Sequence, residues 1–347
     1  MRIYVFPPMR VFIARNQKPM FKFRKNDSSE LAFSGSSRSR WIQTSLAVLL
    51  GCFSGNTLVV GQDDKWLELP QVQERVEKGL GEPADCKRMV EDGRIWIHRD
   101  EQAVIVDGYV CQRNAPLEMF ACPVGTKEHE AVVAVFAKSR FVHASLLAVG
   151  GVAGKPVAFE PRFVPASGTT VRVYALWHDE KGQTQGTLAQ HWIRKTGTKK
   201  PMEWDWVFAG SKIYKDPDTG KETYMGDSGD LICVANFMTS TLDVAVKSDA
   251  ANSGLVFEAF TEKIPKRYTP IRLVMVLSDE APYSGDTPAA DASSSEGADA
   301  VPKHLKVKVP KRVLEFLPER KIEEQPSEPQ QPSEPQQPSE PAQEKKP

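Results

Sequence analysis

Lys127-Glu-His-Glu130 sets four ionisable side chains within one predicted helical turn, and His143 lies near the start of the next predicted helix. Two imidazoles and a carboxylate suit zinc or another divalent cation, which accepts nitrogen and oxygen ligands. The candidate metal ligands are therefore His129, Glu130 and His143, completed by Asp227 or Asp230. Two points weigh against them. Successive helical residues point about 100° apart, so Glu128, His129 and Glu130 do not all face one ion. The spacing is also not that of His-Glu-x-x-His. The competing reading makes His129 a cap and its neighbours solvated charges. A divalent metal is the one cofactor these residues suggest, since the sequence shows no phosphate-binding Gly-rich loop, dinucleotide fingerprint, nucleophile elbow or haem motif.

Gly226-Asp-Ser-Gly-Asp230 resembles the nucleophile loop of trypsin-like proteases, with Ser228 at the nucleophile position. Asp230 occupies the place of a required second glycine, and no Thr-Ala-x-His-Cys stretch precedes it. A turn entering a strand at Leu231 accounts for the same residues. Asp216-Pro-Asp-Thr-Gly220 lacks the third acidic position and distant Glu of a calcium loop, and Pro217 and Gly220 suit a tight hairpin turn. Trp177, Trp204 and Trp206, with Trp192, have the residue type to line a carbohydrate or peptide groove, or equally to fill a core.

The elements that must position these groups are mostly strands. Arg94–His98 and Ala103–Val110 flank the polar turn Arg99-Asp-Glu-Gln102, and Leu117–Cys122 follows. Thr126 is placed to cap a helix carrying Val132, Val133 and Phe136 on one face. Ser139 is placed to cap a second, with Val142, Leu146 and Leu147 at helical spacing and Gly150-Gly151 ending it. Strands then recur at Thr170–Trp177 and Leu188–Ile193 around Asp179-Glu-Lys-Gly182, and at Trp204–Phe208, Leu231–Ala235, Leu242–Val246, Leu255–Phe260 and Ile271–Leu277. The expected class is α+β: a mainly antiparallel sheet with an inserted helical hairpin.

The ends differ in kind from this middle. In residues 1–62, Arg38 and Arg40 precede the short apolar run Ser45–Phe53, which reads as a secretory signal cut near Val59–Gln62. Leu49-Leu-Gly-Cys52 offers a rival reading, a lipobox that would place a lipid on Cys52. Residues 63–93 form a lead-in, 94–279 the globular domain and 280–347 a linker, a basic segment and a Pro/Glu/Gln repeat that forbids helix and sheet. Lys303–Val309 alternates cationic and aliphatic residues, as a half-buried or edge strand does, and is expected to dock on the domain or on an acidic surface such as the cell envelope.

Lys plus Arg and Asp plus Glu both number 45, so no net field steers the chain onto nucleic acid. In an oxidising compartment Cys86, Cys111, Cys122 and Cys233 can pair. Cys111 and Cys122, on successive predicted strands, are the first candidates, and four free thiols are the alternative.

Four stretches, Cys122-Pro-x-Gly-Thr-Lys-Glu-His-Glu130, His143-Ala-x-Leu-Leu147 with Gly150, Trp206-Val-Phe-Ala-Gly-Ser211 and Gly229-Asp-Leu-Ile-Cys-Val-Ala-Asn236, resemble the signature of YdjY-like domain proteins over roughly Ile95 to Leu277. The resemblance implies bacterial export and no assigned reaction. The expected function is a non-catalytic, exported module in the periplasm or at the cell surface. It would bind an envelope protein or small ligand, and would touch membrane only through the leader or a lipidated Cys52. The alternative is a metal-dependent enzyme on the helical hairpin.

Overall fold

The structure is a computed structural model that describes residues 67–248, 256–283 and 305–320. The signal segment, Cys52 and the Pro-rich repeat lie outside the described residues. In chain order the elements are α1 (Leu69–Leu80), β1 (Lys87–Arg88), β2 (Ile95–His98), β3 (Ala103–Val110), β4 (Met119–Pro123), β5 (Val133–Val135), α2 (Ser139–Ala148), β6 (Thr170–His178) and β7 (Thr184–Leu188). They continue as β8 (Ile193–Lys195), β9 (Trp206–Phe208), β10 (Ile213–Lys215), β11 (Glu222–Tyr224), β12 (Ile232–Cys233), β13 (Leu242–Val244), β14 (Phe257–Ala259), β15 (Pro270–Ser278) and α3 (Lys311–Leu314).

The strands β3-β15-β6-β9-β13-β12-β4-β5 follow one another by hydrogen bonding, and β5 returns to β3, so the sheet closes into a barrel. The pairs β4–β5 and β12–β13 run parallel and the others antiparallel. An eight-strand barrel is just wide enough for side chains to fill. Here Val104, Val106, Phe120, Val133, Val173, Trp206, Phe208 and Leu273 belong to one buried cluster. The alternate residues Ala103, Ile105, Tyr109, Tyr174, Leu176 and Val274 join a second cluster, covered by Val72, Val76 and Leu80 of α1 and by Leu305, Val313, Phe316 and Leu317. Burial on both faces explains why β3 reads as a nearly unbroken apolar run rather than an alternating one.

Closure is made at a fork. One edge of β3 pairs with β2 over Ala103–Val106 and with β5 over Gly108–Val110. A Cβ on Gly108 would stand 2.1 Å from the Ala134 carbonyl oxygen, so the seam requires a glycine there. Asp107 sits at the branch with no exposed surface. Its carboxylate takes a bidentate pair from Arg272 at 2.7 and 2.9 Å and two bonds from Arg94 at 3.0 and 2.6 Å. Both guanidiniums also donate to the Gly81 carbonyl after α1, and Arg272 donates to Phe316 at 2.6 Å. Two cations on one anion stay buried with the Gly81 and Phe316 carbonyls accepting further N–H groups and the Trp96 ring 5.1 and 5.7 Å from them.

Three expectations are corrected. The helical hairpin does not form. Residues 128–130 make one tight 3-10 turn and Val133–Val135 is a strand, leaving α2 alone. The β-branched run Val132-Val-Ala-Val135 fits the gap between β3 and β4, and pairing with both outweighs its weak helical pattern. The α+β class stands, with a mixed barrel at its centre. The expected strand Leu188–Ile193 is also displaced: β7 precedes it, and Ala189–Trp192 is a 3-10 turn.

The third correction concerns the basic segment. Its described residues form no strand, but they do dock on the domain, as a strap across the barrel's outer cluster that contains the short α3. Its carbonyls are held by side chains of the domain: Leu305 by His191 at 3.0 Å, Leu317 by Thr184 at 2.6 Å and Pro318 by His178 at 2.9 Å.

Candidate functional site

Residues with the potential for chemistry fall into three places. At the first, α2 meets the turn Met225–Ser228. Asp227 accepts the Arg140 backbone N–H at 2.9 Å and pairs with the Arg140 guanidinium. It therefore caps α2 from a distant part of the chain, where Lys138 supplies no side-chain cap and Ser139 is already the first helical residue. His143 is half-buried. Its Nδ1 lies 3.0 Å from the Tyr224 hydroxyl, which lies 3.0 Å from Thr241 Oγ1 and 3.3 Å from the Gly210 carbonyl. The His143 ring stands edge-on to Phe208 at 4.9 Å and to Tyr224 at 5.4 Å. Burial lowers the His143 pKa and raises the Tyr224 phenol to about 12, so both groups stay neutral. Ser228 donates to the Met225 carbonyl at 2.7 Å, as a turn residue does.

At the second, Lys127 lies 2.9 Å from Asp230 and 3.8 Å from Glu118, with its ammonium 4.6 Å from the Phe237 ring. Thr239 donates its hydroxyl to Asp230. Burial, then a hydrogen bond from Glu130, raises the Glu118 pKa. His129 has 74% of its side chain exposed, with Nε2 3.3 Å from Glu130.

The predicted metal ligands are thus split. His143 and Asp227 lie where α2 meets the turn, while His129 and Glu130 lie on the 3-10 turn beside Lys127. Among the described residues no group of three or more His, Cys, Asp or Glu side chains could hold a metal ion. The helix that was to bring the imidazoles together is absent, and each carboxylate already has a partner.

The cysteine pair is corrected for a related reason. β5 pairs with both β3 and β4, so it runs between Cys111 and Cys122. Two inter-strand spacings amount to about 10 Å, beyond the reach of a disulfide. All four cysteines are free thiols, and burial pushes the Cys122 thiol up to about 12. Beside Cys233 the sequence also hides an acid. Asp243 has no exposed surface and accepts from Asn236 at 3.1 Å, Ser240 at 3.2 Å and the Val244 N–H at 2.8 Å. Burial raises its pKa to about 8.

The third place is a cleft of about 470 Å³ at the end of β6, lined by Trp177, Thr187, His191, Trp192, Pro201 and Phe260 with Lys199 and Lys263. The rings of Trp177 and Trp192 lie 5.2 Å apart. His191 forms the polar part of the wall with both nitrogens engaged. Nε2 donates to the Leu305 carbonyl, so Nδ1 accepts from Thr187 at 2.9 Å. Burial lowers its pKa, which keeps this neutral tautomer.

Of the four tryptophans expected for a groove, Trp177 and Trp192 are here. Trp206 is fully buried and donates to the Cys233 carbonyl at 2.8 Å, and Trp204 stands edge-on to Phe257 at 5.4 Å, packed against the core. Sequence reasoning missed His191, Phe260, Lys199 and Lys263, which come from a 3-10 turn and loops with no periodic pattern to join them. The signal that was available is His191-Trp192 just after a hairpin whose other strand ends in Trp177-His178.

The YdjY domain family model matches residues 95–276, more than half of the chain. No curated protein and no solved structure matches it. The chain belongs to the YdjY domain family.

Proposed function

We propose that this member of the YdjY domain family is an exported, non-catalytic binding module of the cell envelope, and that it holds a small ligand in the Trp177 cleft. One observation carries the reading: Trp177, Trp192 and Phe260 line a concavity of about 470 Å³. Pockets of this size with aromatic walls and few polar groups hold small molecules rather than whole protein faces. A ligand there gains from leaving water and from ring contacts. The neutral, doubly bonded His191 supports positioning rather than proton transfer.

Export rests on the basic residues and the short apolar run of the leader. The Pro-rich repeat then serves as a spacer between the module and whatever it is presented to.

Glycan and peptide arrays probed with the mature chain test the binding reading. Binders should be lost with Trp177→Ala and kept with Trp204→Ala, whereas equal loss in both variants would overturn the assignment to this cleft. Mass spectrometry of the native protein tests the export reading. A new amino terminus near residue 62 is expected, and an intact leader would refute it.

A further inference from the structure

We infer that the occupant of the Trp177 cleft is a small amphipathic anion, with a flat apolar body and one carboxylate, sulfate or phosphate group. The inference rests on the binding reading above and names the class of ligand.

The lining carries Lys199 and Lys263 and no Asp or Glu. The nearby carboxylates are committed elsewhere: Glu258 to Arg194 at 2.7 Å, and Glu262 to the same guanidinium at 3.2 Å. Lys199 also helps to hold the Glu262 pKa low, so part of its field is answered and part still faces the cleft. Lys263 extends along Phe260, its ammonium 5.8 Å from the ring, and its charge contributes to keeping His191 neutral. Both cations therefore border an apolar floor. The other polar groups of the wall are used up, because Thr187 bonds His191 and His191 bonds Leu305.

A ligand that lays a flat face on Trp177 and Phe260 leaves its polar end among two ammonium groups. Beside an apolar wall an ion pair is worth more than in open water, since the effective dielectric is lower. Ammonium groups act as point charges without the planar fork of arginine, so they select for negative charge more than for one oxyanion shape. A neutral ligand of the same outline would draw nothing from the two lysines that border the cleft.

Two dyes that share one ring system separate charge from shape. They are 8-anilinonaphthalene-1-sulfonate and its uncharged counterpart N-phenyl-1-naphthylamine, titrated against the tryptophan emission of the mature chain. The sulfonate should bind at least about tenfold more tightly. Lys199→Glu with Lys263→Glu should abolish that preference and leave the neutral dye unchanged, and Lys199→Gln with Lys263→Gln should do the same if charge reversal impairs folding. If both dyes bind equally and neither double variant moves them, the anion inference falls while the cleft survives as a site. If neither dye responds to Trp177→Ala, the binding reading fails as well.

Discussion

The barrel end at His143 and the flank at Trp177 draw on the same stock of side chains, imidazole, aromatic ring and cation, and use it in opposite ways. Where α2 meets the Met225–Ser228 turn the titratable groups are spent on one another: Asp227 on the Arg140 amide and guanidinium, Tyr224 between His143 and Thr241, with Ser228 bonded to its own turn. At the flank the imidazole is spent holding the strap, while the rings and two lysines border open volume. A dense cluster of titratable residues thus marks rigidity as readily as chemistry. What distinguishes a site is surface and charge left over once the fold has been satisfied.

That contrast can be tested by removing spent groups and watching stability rather than binding. The largest effect belongs to Asp107→Ala, which leaves two buried guanidiniums without their anion. We expect a loss of about 3–5 kcal/mol in urea unfolding, and a loss under about 1 kcal/mol would show that carbonyls and the Trp96 ring carry those charges unaided.

Next comes Asp243. Its folded form keeps a proton that the unfolded chain releases in the ordinary carboxylate range, so its contribution is complete at acid pH and declines as pH rises towards about 8. The unfolding midpoint of the native protein, compared with Asp243→Asn at about pH 5 and about pH 8, should fall relative to the variant. Parallel behaviour at both values would mean that Asp243 is ionised in the fold.

The smallest effects sharpen the contrast within the original set of candidates. Asp227→Ala should cost about 1–2 kcal/mol through the lost cap and ion pair. His129→Ala should leave the midpoint where it was, because its side chain faces water. Dye binding at Trp177 should be untouched in both. A response there would couple the two regions and end the comparison.

What could be read in advance follows from how locally each feature is determined. β3, β6 and β15 are long and strongly β-branched, so their runs identify them within a residue or two. The hairpin turn at Asp179 was legible because Asp179 satisfies the amides of Lys181 and Gln183 within its own turn. β5 was not, since three residues carry little pattern and its state is set by β3 and β4 on either side. The same insertion undid the cysteine pair. Asp227 was recognised as important but for the wrong reason, because a cap supplied from 87 residues away leaves no trace in local spacing. Trp177 and Trp192 were found, while His191, Phe260 and the two lysines were not, as loops converge only through the fold.

The strap also redefines where this domain stops. The family pattern ends at residue 276, yet Phe316 and Leu317 are buried against the barrel and Arg272 places an N–H on the Phe316 carbonyl. A fragment trimmed at the end of β15 would keep every strand of the barrel, bare a greasy flank and strand an arginine donor, while His191 would lose the carbonyl that fixes its tautomer. Anyone dissecting this protein should carry the chain through at least Arg320, because the wall of the cleft is buttressed from beyond the recognisable sequence.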